Sequence, residues 1–144
     1  MPMYPLFLLN KGTAMDEKRK AKILVVDDNK SFCDLVKAAF EENFILEFAD
    51  NSNNGLAKAE EFAPDLILLD INLPPGPNGI EFLRKMALKT EICSIPVIAI
   101  TAINYDGITE SLVKKEPNVR AFMTKLSPLS VIEEKIVLIL KGVA

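Results

Sequence analysis

At 144 residues, with 49% apolar content and 26% charged residues of both signs, the chain suits one soluble domain with an ordinary core, which excludes disordered and collagen-like classes. A formal net charge of -3 and a pI near 5.1 leave no electrostatic footprint for nucleic acid, so direct nucleic-acid binding is not expected. The chain has no histidine, which removes Ser-His and Cys-His catalysis, His-ligated zinc and any phospho-histidine role for the chain itself.

The first residues, Met1 to Leu9, are apolar but lack the basic flank of a signal peptide and the length of a membrane span. Residues 1–20 are expected to be a flexible extension ahead of one domain over residues 21–144, with Met15 as an alternative start and a cytoplasmic location. The first strand, near 22–27, carries Ile23-Leu24-Val25-Val26, a continuous apolar run typical of a parallel strand covered on both faces. It ends in two adjacent carboxylates, Asp27 and Asp28, which packing alone does not explain.

A helix is predicted near 30–42 from the spacing of Phe32, Leu35, Val36, Ala39 and Phe40, with Asp28 or Asn29 available as its cap. A second strand near 44–49 leads to Asp50, a turn residue, and to a turn-and-cap cluster from Asn51 to Gly55 that opens a helix near 52–62. Pro64 stops that helix. The third strand, near 65–70, again runs apolar into an acid, Asp70.

Parallel neighbours would bring Asp27, Asp28 and Asp70 to the carboxyl edge of the sheet, where open α/β folds place ligands. Two carboxylates about 5 Å apart repel by roughly 3 kcal/mol at an effective dielectric near 20, so a positive group belongs among them. A hard divalent cation with oxygen ligands, Mg²⁺ above all, is the simplest candidate.

After a proline-rich loop from Pro74 to Gly79, a helix near 79–90 follows from Ile80, Leu83 and Ala87. A strand near 95–101 ends at Thr101, a helix near 104–116 stops at Pro117, and a last strand near 119–124 precedes Lys125. The final helix, near 128–141, is expected to start with Ser127 as cap and Pro128 in its first turn. Cys33 and Cys93 are expected to be reduced, buried thiols and not a disulfide or metal pair. Alternating strands and helices with right-handed crossovers give one α/β unit, and Asp27, Asp28, Asp70, Thr101 and Lys125 should meet at one sheet edge.

Asp27-Asp28 after the first strand, Leu66-Ile67-Leu68-Leu69-Asp70-Ile71-Asn72-Leu73-Pro74 with Gly79 beyond, Ile100-Thr101-Ala102 and Phe122-Met123-Thr124-Lys125 together resemble the receiver domain of bacterial two-component response regulators. Each motif alone is weak, but all of them in order, over about residues 21 to 142, make a specific signal. The resemblance implies a doubly wound, flavodoxin-like parallel sheet of five strands in the order 2-1-3-4-5, flanked by five helices. It implies that Asp70 accepts a phosphoryl group from a histidine kinase or phosphotransfer protein. Mg²⁺ would sit on Asp28, Asp70 and the main-chain carbonyl of Asn72, with Asp27 reaching it directly or through water. Lys125 and Thr101 would each hold a phosphoryl oxygen, and Ala102 would leave room for the group.

By the same resemblance, Thr101 and Phe122 form the switch, and the signal passes to a downstream protein through the face of the fourth helix, fifth strand and fifth helix. Only the last helix fits after Lys125, so the chain is expected to be a self-modifying phosphoacceptor without an output domain in this chain, either a stand-alone regulator or a phosphorelay intermediate, and not an enzyme acting on other substrates. Ile132, Ile136 and Ile139 or Leu140 suit packing on the sheet; Val131 and Leu138 lie on another stripe, as core extension or as a homodimer surface on the last helix. Two departures stand out: the loop from Pro74 to Gly79 is one residue longer than the family's, and Leu126 stands where the family has a cis-proline. A cis bond before a non-proline costs about 3 kcal/mol, so a trans Lys125–Leu126 bond with an adjusted backbone is expected.

Other functions remain on the same fold. An interaction module that works without phosphorylation has no use for the intact acid set, and Mg²⁺ affinity separates it from a switch. A flavin carrier needs amides and hydroxyls after the first strand, where Asp27-Asp28 would repel the phosphate. An aspartyl phosphatase would need an acid two residues after Asp70, where Asn72 stands.

Overall fold

The computed structural model describes residues 19–72, 79–102 and 107–142. Five parallel strands, β1 (Ala21–Val26), β2 (Phe44–Ala49), β3 (Leu66–Asp70), β4 (Val97–Thr101) and β5 (Val119–Thr124), pair in the order β2-β1-β3-β4-β5. They alternate with five helices: α1 (Lys30–Phe40), α2 (Ser52–Phe62), α3 (Gly79–Ala87), α4 (Gly107–Lys114) and α5 (Leu129–Leu140). The predicted fold and strand order are thus observed. The extension expected over residues 1–20 lies outside the described residues except for Arg19 and Lys20, as does the loop 73–78. Arg19 forks onto Asp65, its two terminal nitrogens 3.0 and 3.3 Å from the carboxylate.

The central strands β1, β3 and β4 are almost wholly buried, whereas the edge strands β2 and β5 keep partly exposed side chains. That difference follows from coverage on both faces against coverage with one edge open. Ile23 and Val25 point toward α1 and α5, where they meet Phe32, Val36, Phe40, Ile132 and Ile136. Leu24 and Val26 point the other way, toward Leu56, Phe82, Leu83, Met86 and Val113 on α2, α3 and α4.

Several local expectations are corrected. Leu35 is 59% exposed, because α1 buries a narrow stripe of Phe32, Val36 and Phe40 and leaves the next position to solvent. The α3 helix ends at Ala87, not near residue 90, and Ser127 does not cap α5; Pro128 holds that position without a side-chain hydrogen bond. Ser127 instead donates its N–H to the Thr124 carbonyl at 3.0 Å. Of the two cysteines expected to be buried, Cys33 is half-buried and Cys93 exposed, both as free thiols. On α5, Val131 is 45% exposed and Leu138 half-buried.

One polar contact inside the α1–α5 layer has a measurable signature. Glu133 is only 2% exposed, and its Oε2 accepts from Asn43 Nδ2 at 2.9 Å. Burial pushes its carboxyl above the usual range, although the Asn43 amide pulls the other way. A raised acid contributes stability that is fully present below its unfolded pKa and lost as pH climbs through the folded pKa. Glu133→Gln keeps an oxygen for Asn43 and removes the titration. Urea unfolding should find the variant more stable near neutral pH, with the difference between the two proteins closing as pH falls into the ordinary carboxylate range. A constant difference across that range would refute the assignment.

Candidate functional site

The carboxyl ends of β1, β3, β4 and β5 converge on one edge of the sheet, and the paired register sets which side chains meet there. Val26 lies opposite Leu69, Asp70 opposite Ile100, and Thr101 opposite Thr124. Asp27, Asp70, Thr101 and Lys125 therefore arrive at one level from four separate strands.

Asp27 and Asp70 are 4% and 5% exposed, whereas Asp28 stands exposed beside them. One carboxylate oxygen from each of the three lies within 4.8 Å of the others. Asn29, not Asp28, caps α1: its Oδ1 accepts the Phe32 N–H at 2.9 Å. Capping thus accounts for Asn29 and leaves the Asp28 carboxylate at the mouth of the cluster.

Lys125 Nζ is 2.8 Å from Asp27 Oδ2 and 3.4 Å from Asp70 Oδ2. Leucine in place of the family's proline does not pull the ammonium away. Its backbone is tied instead by Lys125 N–H to the Thr101 carbonyl at 2.8 Å and by Leu126 N–H to Thr124 Oγ1 at 3.2 Å. Below the ammonium lies the ring of Phe32, its centroid 4.9 Å from Nζ, a cation–π contact. Sequence reasoning gave Phe32 only a packing role; no spacing signal links it to Lys125, ninety-odd residues away.

Electrostatically the cluster is short of positive charge. Burial raises the Asp27 carboxyl above its ordinary range, and the Asp70 charge adds to this, while the bonds from Lys125 and the Asn29 N–H lower it. Burial works against the Lys125 ammonium, but bonding to Asp27 and the charges of Asp27 and Asp70 outweigh it and raise its pKa. Lys125 is therefore firmly charged. One ammonium still cannot balance three carboxylates, and an oxygen-only donor set of this span fits a hard divalent cation such as Mg²⁺.

Thr101, 1% exposed, accepts a hydrogen bond at Oγ1 from Asn72 Nδ2 at 3.1 Å, and the Asn72 N–H donates to Asp70 Oδ1 at 2.9 Å. The family resemblance implies only the Asn72 main-chain carbonyl as a ligand; the side-chain link needs the β3–β4 register to be seen. Phe122, the expected switch aromatic, is half-buried in β5 against the α2–α3–α4 layer. Beside the acids, a groove of about 840 Å³ opens between α1 and α2, lined by Asp28, Lys30, Cys33, Phe48 and Asp50 among others. Burial, with the Asp27 charge behind it, pushes the Cys33 thiol in this groove up to about 11, which keeps it protonated and unreactive.

The family model for the response regulator receiver domain matches residues 23–136. A protein-glutamate methylesterase/protein-glutamine glutaminase of Treponema denticola is 36% identical over 109 residues, 74% of this chain but 28% of that protein. Protein PilH of Pseudomonas aeruginosa is 34% identical over 107 residues, 73% of this chain and 85% of PilH. Among solved structures, the CheY-like response regulator receiver domain of Methanospirillum hungatei is 29% identical with a TM-score of 0.75, covering 85% of this chain and 95% of that one. The chain spans about a third or less of the first two curated relatives, 28% of the methylesterase and 35% of the regulatory protein ResD of Bacillus subtilis.

Proposed function

The chain belongs to the response regulator receiver family of two-component signalling systems, and from that premise we propose that it is a phosphorylation-driven switch whose acceptor is Asp70. The observation that carries this reading is the Lys125 ammonium bridging Asp27 and Asp70 within a cluster of three acids. A carboxylate oxygen of Asp70 attacks the phosphorus of a phospho-histidine on a sensor kinase or phosphotransfer protein. A P–O bond forms as the P–N bond breaks, and the imidazole leaves with the electron pair and takes up a proton.

Asp27, Asp28, Asp70 and the Asn72 carbonyl would hold Mg²⁺, which when bound neutralises charge on the transferring phosphoryl oxygens. Lys125 supplies the second fixed positive charge, and the Thr101 hydroxyl a hydrogen bond. The Asn72 N–H, already on Asp70 Oδ1, holds the nucleophile in its plane. Reaction is thus mostly positioning and charge neutralisation on the domain itself; no further substrate is acted upon.

Treatment with acetyl phosphate and Mg²⁺ should give one phosphoryl adduct by intact mass, and Asp70→Asn should give none. Labelling that persists in that variant would sink the assignment. Output through the face of α4, β5 and α5 to a partner protein in the cytoplasm completes the reading; among the described residues no helix is long and apolar enough to cross a membrane. If α5 also pairs two copies, Val131 and Leu138 are its contact residues. Leu138→Glu should then abolish self-association in sedimentation while leaving Asp70 labelling intact, and unchanged association would count against that surface.

A further inference from the structure

Asn72 is joined to both ends of the site by different parts of itself. Its N–H holds Asp70 Oδ1 at 2.9 Å, and its side-chain amide holds Thr101 Oγ1 at 3.1 Å. The main chain on either side is fixed: Ile71 N–H donates to the Ile100 carbonyl at 2.9 Å, and the Thr101 carbonyl accepts from Lys125 N–H at 2.8 Å. With its backbone pinned between β3 and β5 and its side chain 1% exposed, Thr101 retains one freedom, rotation about χ1. A β-branched residue takes that rotation in discrete steps and not as a continuous swing.

We propose that the Asn72 side-chain amide is a latch that holds Thr101 in the resting orientation and sets the bias of the switch. The proposal rests on the reading of Asp70 as phosphoacceptor and adds to it a positioning residue that acts through Thr101. For the Thr101 hydroxyl to turn toward an oxygen on phosphorylated Asp70, it gives up the bond from Asn72. The loss of one neutral hydrogen bond weights the two orientations by about fivefold. The resting state is therefore favoured by a residue that contributes its backbone to one side of the site and its side chain to the other.

The test uses Mg²⁺ with beryllofluoride, an anion that mimics a phosphoryl group on a carboxylate. Asn72→Ala should bind it about fivefold more tightly than the unsubstituted protein, both at saturating Mg²⁺. In a Thr101→Ala background the same substitution should change nothing, because the latch has no partner. Equal gains in both backgrounds, or none in either, would overturn the latch. Failure of the unsubstituted protein to bind beryllofluoride would instead strike the phosphoacceptor reading, and the latch with it. A second readout needs no anion: three-bond couplings of the Thr101 γ-methyl should report one rotamer in the unsubstituted protein and averaging in Asn72→Ala. One persistent rotamer in the variant would refute the proposal.

Discussion

Lys125→Met should slow phosphorylation of Asp70 by acetyl phosphate on the order of 10²- to 10³-fold, the effect of removing one fixed donor to a developing anion. Methionine keeps most of the stem that lies over Phe32 and deletes only the charge. The fold should suffer as well. Breaking a buried ion pair by removing one partner costs about 3–5 kcal/mol, and the partial exposure of Lys125 reduces this to about 2.

The same argument predicts a compensation. With the ammonium gone, no other described residue forms an ion pair with Asp27 or Asp70, so Mg²⁺ relieves more repulsion than in the unsubstituted protein. Urea unfolding with and without saturating Mg²⁺ should show a larger stabilising increment in the variant. Equal increments would mean that Lys125 and the metal do not share the same charge deficit.

Gly79→Ala should cost about 1–3 kcal/mol, with a fall of several degrees in Tm, although it adds a single methyl group. A Cβ at Gly79 would lie 2.7 Å from Ile71 Cα and 3.0 Å from the Asp70 carbonyl oxygen. Both are backbone atoms of the segment that carries the acceptor, and Gly79 N–H is itself bonded to the Ile71 carbonyl at 2.9 Å. Relief therefore requires displacing Asp70, so Mg²⁺ affinity should fall along with stability. Gly107→Ala is the control: a Cβ there meets nothing within 4 Å among the described residues, and alanine is the better helix former at the start of α4. It should be neutral or slightly stabilising; a comparable loss at both positions would rule out the steric account.

The sequence by itself determined the architecture and the acid set. Continuous apolar runs in β1 and β3, each too short for a buried helix, are typical of strands covered on both faces, and the abrupt acids at their ends, Asp27-Asp28 and Asp70, mark the ligand edge of such a sheet. These signals are local, lying in the order of residues along one strand. Helix boundaries were less legible, as the early end of α3 and the cap of α5 at Pro128 show, because several residues near a helix end satisfy its free groups equally well.

Only the tertiary structure decided what depends on register between strands far apart in the chain. The pairing of β1, β3, β4 and β5 brings Asn72 to Thr101 and Lys125 to Asp27, and α1 slides Phe32 beneath the ammonium. It also decided burial: Leu35 satisfies the helical spacing but faces solvent, whereas Glu133, polar by sequence, is enclosed with Asn43. Spacing along a helix identifies a stripe, but the neighbouring layer determines which part of it is covered. Hydrogen bonds and ion pairs between strands leave no trace in either partner's local sequence, since each residue alone is compatible with many surroundings.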